Sequence, residues 1–162
     1  MSITSKTSPL AQLSGTIVLA GAGKMGGALL TGWLAQGLDG CNVAVLEPAP
    51  SDDIAALTER GVRFNAAPQD LGTVDALVIA VKPQMFREAA AQLKAYVSPS
   101  TLVVSIMAGI TVSALQDACG GAVVRAMPNT PAAIGRGITV GVAAAEVSAG
   151  QRSTADALLR AT

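Results

Sequence analysis

Residues 16–34 read Thr-Ile-Val-Leu-Ala-Gly-Ala-Gly-Lys-Met-Gly-Gly-Ala-Leu-Leu-Thr-Gly-Trp-Leu. Ile17, Val18 and Leu19 form an unbroken run of β-formers. Gly21, Gly23 and Gly26 follow, and apolar residues then recur at helical spacing, Met25, Leu29, Leu30, Trp33 and Leu34. The stretch reads as strand, glycine turn and helix. In that setting the spacing Gly-x-Gly-x-x-Gly has a physical purpose. Gly21 allows the tight turn out of the strand, Gly23 lets backbone come close to a pyrophosphate, and Gly26 lets the helix lie against the sheet. Such an anion rests on unpaired N–H groups at the positive end of the helix. Gly21 to Gly26, with Ala22, Lys24 and Met25 between the glycines, are therefore the first candidate binding residues. A glycine turn with no ligand is the alternative; its place between a strand and a helix near the start of the chain favours the anion.

The rest of the chain suits a sheet of buried strands. Its 162 residues allow one domain with a real core. Apolar residues make up 51% and charged ones 14%, while aromatics are only 2%, so the core is built from Ala, Val, Leu and Ile. Buried parallel strands flanked by alanine-rich helices have that composition. Formal net charge is zero and no Lys/Arg cluster stands out, which argues against nucleic acid as a partner. With no histidine in the chain, an imidazole general base is excluded and no zinc site is expected. Cys41 and Cys119 are too far apart in sequence for a metal pair and read as small buried hydrophobes. Residues 1–14 have no signal-peptide core and read as a flexible leader; no run reaches membrane-spanning length. A reducing cytoplasm is the simplest compartment.

Strand and helix signals alternate from there on. Asn42 to Leu46 reads as a strand closed by Glu47 and Pro48, and Ser51 as the N-cap of a helix over 51–60 stopped by Gly61. Val62 to Phe64 is a short strand, Pro68 to Leu71 one helical turn, and Val74 to Val81 the clearest buried strand. A helix opens at Pro83, a strand covers Thr101 to Ser105, and Thr111 caps the next helix, which ends at Gly120-Gly121. Ala122 to Ala126 and Ile138 to Ala143 are strands on either side of an irregular stretch, and Ser148 with Gln151 forms a capping box for a last helix. The fold class is α/β, a doubly wound and mostly parallel sheet of Rossmann type, with residues 15–162 as one dinucleotide-binding domain.

In such a sheet the ligand sits at the carboxyl ends of the strands, where their order reverses. Glu47 follows Gly26 by 21 residues, the place of an acid that hydrogen-bonds the adenosine ribose 2′-hydroxyl. A carboxylate there repels a 2′-phosphate, and no arginine follows before Arg60, so NAD(H) is favoured over NADP(H). Lys82 at a strand end is either a surface charge or part of a backbone turn, Ala80-Val81-Lys82-Pro83, over the cofactor ribose. Met107 and Ala108 are compatible with a nicotinamide approach and equally with an ordinary strand-to-helix turn. Asn129, fixed between Pro128 and Thr130-Pro131, is either a loop residue or an amide aimed at a ligand. No side chain here is singled out as an acid or base for catalysis.

Four ordered motifs then carry a resemblance. Gly-Ala-Gly-Lys-Met-Gly-Gly, Ala80-Val81-Lys82-Pro83-Gln84, Ser105-Ile106-Met107-Ala108-Gly109-Ile110-Thr111 and Arg125-Ala126-Met127-Pro128-Asn129-Thr130-Pro131 resemble the cofactor domain of pyrroline-5-carboxylate reductase, over roughly residues 16–160. The resemblance implies NAD(P)H-dependent reduction of a small cyclic imine to proline, the last step of proline synthesis. It places the pyrophosphate on Ala22 to Gly26, the ribose side on Ala80 to Pro83, the nicotinamide on Met107 and Ala108, and Asn129 near the reacting end. Another NAD(P) oxidoreductase of this domain type, such as a deazaflavin-dependent one, and a non-catalytic nucleotide-binding module are the rival readings; the 127–131 motif argues against the first.

Two departures from the family pattern matter. Glu47 stands where the family often carries serine, and Pro68 replaces a common polar cofactor contact. The family also continues into a helical C-terminal domain that forms the homo-oligomer and binds substrate. The 162 residues stop before that domain and before the last edge strand, so the isolated chain is expected to bind cofactor with little or no turnover.

Overall fold

The structure, a computed structural model, describes residues 7–128 and 139–161. Its strands are β1 (Thr16–Ala20), β2 (Val43–Leu46), β3 (Arg63–Phe64), β4 (Val74–Ile79), β5 (Leu102–Ser105), β6 (Ala122–Pro128) and β7 (Thr139–Ala143). The helices are α1 (Lys24–Ala35), α2 (Asp52–Ala55), α3 (Pro68–Leu71), α4 (Phe86–Lys94), α5 (Val112–Cys119) and α6 (Ala149–Leu159). The seven strands form one sheet in the order β3-β2-β1-β4-β5-β6-β7. All neighbours pair in parallel except β7, which runs antiparallel to β6. This is the doubly wound α/β sheet the sequence implies.

The central strands are covered on both faces, which is why they read as continuous apolar runs rather than alternating ones. Val18, Leu19, Ala44, Val45, Leu77, Ile79, Val103 and Val104 are all fully buried. Among the described residues, Thr101 and Ser105 are the fully buried polar ones, and both hydroxyls are hydrogen-bonded. The Thr101 hydroxyl donates to Val74 O at 2.8 Å, and Ser105 Oγ accepts the Met107 N–H at 3.2 Å. Trp33 is also fully buried, and its indole N–H donates to Leu158 O at 2.8 Å, fastening α1 to α6.

Strand order reverses between β1 and β4, because β2 and β3 lie to one side of β1 and β4 to β7 to the other. The turn leaving β1 is held from both sides. Gly21 N–H donates to Leu46 O at 2.9 Å, and Ala80 N–H donates to Ala20 O at 2.7 Å. Backbone bonds to β2 and β4 thus fix the glycine turn at the crevice between the two halves of the sheet.

Four expectations need correction. The leader expected to be loose over residues 1–14 is docked from Ser8 onward: Pro9–Gln12 forms a 3₁₀ turn capped by the Ser8 hydroxyl, and Leu10 is buried in the core. One well-placed apolar side chain is enough to tie such a segment down. The helix expected over 51–60 is a single α-turn, α2, continued as a 3₁₀ helix over Ala56–Arg60. Ile54 is buried while residues 56–60 bury no side chain, so packing supports little of the segment. Ser51 stands at the N-cap, yet its hydroxyl makes no capping bond. Cys41, read as buried, is exposed, whereas Cys119 is buried.

Candidate functional site

The glycine turn is built by three residues with different neighbours. Gly21 has φ +90°, a left-handed conformation, and a β-carbon there would meet Ala80 O at 2.8 Å and Val81 N at 2.9 Å. A β-carbon on Gly26 would collide with Gly21 O and press on Ala80 Cβ at 3.1 Å. Both glycines are therefore required by the packing of the turn and α1 on β4. Gly23 is different: its φ is −70°, and a β-carbon there would find nothing within 4 Å. The fold does not fill the space above it.

Gly23 is also the N-cap of α1 and brings no side-chain cap. The N–H groups of the first turn, Lys24 to Gly26, have no intrahelical partner by construction. Ala22 N–H is not free in this structure. It donates to Glu47 Oε2 at 3.0 Å, while Glu47 Oε1 accepts from Ala49 N–H at 3.3 Å. The carboxylate at the end of β2 is thereby held against the glycine turn of β1. Arg60, the next arginine in sequence, is turned away: its guanidinium donates to Leu34 O at 3.3 Å, at the far end of α1.

A cleft of about 880 Å³ brings Ala22, Gly23, Lys24, Glu47 and Lys82 together. It continues along α1 past Gly27, Thr31 and Gly32, with Ser51, Asp53 and Ile54 facing them. Of the remaining candidates, Gly21 and Gly26 lie buried beneath the turn, and Met25 is half-buried outside the cleft lining. Ala80, Val81 and Pro83 flank Lys82 just past β4; Pro83 opens a 3₁₀ turn leading into α4. Met107 is buried in the core and Ala108 is exposed after β5; neither lines the cleft. Asn129 lies outside the described residues.

One residue escaped the sequence reading. Asn65, just past β3, accepts the Glu47 N–H on Oδ1 at 2.9 Å and donates from Nδ2 to Glu47 O at 3.0 Å. The available signal was an asparagine ending a short strand, a residue type that tolerates left-handed backbone. Among the described residues, no group of three or more His, Cys, Asp or Glu is placed to hold a metal, and no helix is long and apolar enough to cross a membrane.

Switch point, uncapped glycine turn and acid at the end of β2 define a dinucleotide-binding domain of Rossmann type. The chain belongs to the family described as NADP oxidoreductase, coenzyme F420-dependent, which matches residues 16–109. Curated proteins named pyrroline-5-carboxylate reductase are among its relatives. The enzyme of Pseudomonas aeruginosa is 35% identical over 150 residues, covering 90% of this chain and 54% of its own length. That of Escherichia coli is 37% identical over 125 residues, covering 74% of this chain and 46% of its own. Among solved structures, a pyrroline-5-carboxylate reductase from Coxiella burnetii superimposes with a TM-score of 0.81 at 28% identity, over 92% of this chain and 57% of that one. The chain spans about half the length of the curated relatives it matches. The resemblance read from the four motifs is borne out, and it extends past the residues matched by the family description.

Proposed function

We propose that this chain is the cofactor-binding half of a pyrroline-5-carboxylate reductase. The observation that carries the reading is Gly23: it opens onto unfilled space at the N-terminus of α1, inside a cleft that also holds Glu47 and Lys82. A glycine that neither its φ nor its packing requires is explained by the close approach of a phosphate. The bound nicotinamide would supply the hydride that reduces the imine carbon. The chain's own part is to bind and orient. The N–H groups of Gly23 to Gly26 take the pyrophosphate, Ala80 to Pro83 border the ribose side, and Met107 with Ala108 stands at the nicotinamide end. Asn129 belongs near the reacting end by the same family resemblance. The rival deazaflavin reading rests on the family description; the longer matches to the named reductases favour the imine.

Titration of NADH by calorimetry tests the site. Gly23→Val has room to fold, since nothing lies within 4 Å of the added β-carbon. It is expected to weaken NADH by about tenfold or more while leaving the melting temperature nearly unchanged. Unchanged affinity would sink the pyrophosphate assignment.

Glu47 makes NADH the better fit. Its carboxylate is fixed by two backbone N–H groups at the nucleotide end, with Arg60 engaged elsewhere. A ribose hydroxyl can donate to it, whereas a 2′-phosphate meets like charge. NADH should bind more tightly than NADPH, and Glu47→Ser should narrow the gap by about tenfold. Tighter NADPH binding by the unmodified chain would reject this preference.

A further inference from the structure

Asn65 has φ 52°, the one non-glycine residue with positive φ among the described residues. A side chain is disfavoured in that region, and asparagine is one of the few that visit it. What the conformation achieves is visible in its bonds. Strand β3 is two residues long and pairs with Ala44 and Val45 of β2, so the ladder ends before Glu47 is reached. Asn65 N–H adds one more backbone bond, to Val45 O at 2.7 Å. The side chain then takes over: Oδ1 accepts from Glu47 N–H and Nδ2 donates to Glu47 O, at 2.9 and 3.0 Å. Both polar ends of the amide are spent on Glu47, at the end of the strand next to the glycine turn's own, in place of the local backbone bonds an asparagine makes in an ordinary turn.

Glu47 passes the constraint on. Its backbone lies beyond the end of β2 and immediately before Pro48, whose ring leaves no N–H to donate. Its carboxylate reaches the Ala22 N–H of the β1 turn at 3.0 Å. A continuous chain of hydrogen bonds therefore runs from Asn65 through the Glu47 backbone to the carboxylate and into the glycine turn. The Ala22 and Ala49 N–H groups hold the carboxylate, and the Asn65 amide holds the backbone that carries it.

We propose that Asn65 is a positioning residue for the nucleotide end of the cleft: by clamping Glu47 it sets the choice between an adenosine ribose with a free 2′-hydroxyl and one carrying a 2′-phosphate. This rests on the reading of Glu47 given above. A turn that needed only left-handed backbone would be served by glycine, and that difference supplies the test.

Affinities for NADH and NADPH are measured by calorimetry on the 162-residue chain as it stands, on Asn65→Gly, on Glu47→Ser and on the double variant. Glycine keeps the left-handed backbone and removes only the amide. Asn65→Gly is expected to weaken NADH by about fivefold, to leave NADPH unchanged or tighter, and to add nothing once Glu47 is serine. Equal weakening of both cofactors overturns the proposal, as does the same loss with and without Glu47, because either result makes Asn65 a turn residue only. Should Glu47→Ser leave the NADH-to-NADPH ratio untouched, the reading of Glu47 fails and takes the proposal with it. A ratio that shifts in Glu47→Ser and not in Asn65→Gly removes Asn65 alone.

Discussion

At the scale of single residues, the glycine turn separates structure from function within six positions. Gly26 is glycine because the helix lies so close to the turn that a β-carbon would run into Gly21 O. Gly23 is glycine although the protein itself leaves room for a side chain. Gly26→Ala should therefore cost stability, about 2 kcal/mol by the usual penalty of overpacking, read from the urea midpoint. A midpoint unchanged from the parent chain would mean that α1 shifts freely on the sheet. The spacing of the three glycines gave each its role in the sequence, but which atoms crowd Gly21 and Gly26, and that Gly23 faces open space, depends on what stands opposite each one in the fold. Glu47 was legible for the same reason of spacing. Asn65 was not, since its partner lies 18 positions away and meets it only across the β2–β3 edge.

At the scale of elements, local signals succeeded where the physics is local. Ser148 and Gln151 form the reciprocal capping box at the start of α6, and the Thr111 hydroxyl accepts the Ala114 N–H at the start of α5. Caps of this kind need only neighbouring residues. The segment before β1 shows the opposite case: nothing in Pro9 to Gln12 marks it as anchored, yet Leu10 is buried and the turn packs beside α6. Leu10→Ala should lower unfolding stability by about 3 kcal/mol, the usual cost of truncating a buried leucine. A chemical denaturation curve matching that of the parent chain would return the segment to the status of a leader. The shortening of α2 has a similar origin, for Asp52 and Asp53 favour a helix start, but of residues 56–60 none is fully buried and Leu57 is only partly buried against the core.

For the whole molecule, the cleft lies beside the switch point of the sheet, lined by the glycine turn after β1, Glu47 after β2 and Lys82 after β4. Lys24, Glu47, Asp53 and Lys82 are the charged residues that line the cleft, and Met107 and Ala108 at the proposed nicotinamide end carry no acid or base. Orientation of an imine against the nicotinamide is a large part of what such an enzyme supplies, and the chain spans about half of each curated relative. The 162-residue chain should bind NADH and form no measurable proline from pyrroline-5-carboxylate; turnover at an ordinary enzymatic rate would show that these residues suffice.

The sequence by itself determined the alternation of strands and helices, the strand-turn-helix at residues 16–34 and the acid 21 residues beyond Gly26, because each follows from local periodicity and spacing. It also carried the family resemblance through motifs in fixed order. Tertiary structure alone decided that Leu10 is core, that Cys41 is exposed, that Glu47 closes on Ala22 and that Asn65 holds Glu47 in place. These facts depend on which segments become neighbours across the sheet, and neighbours of that kind are set by strand order and burial rather than by the residues on either side in the chain.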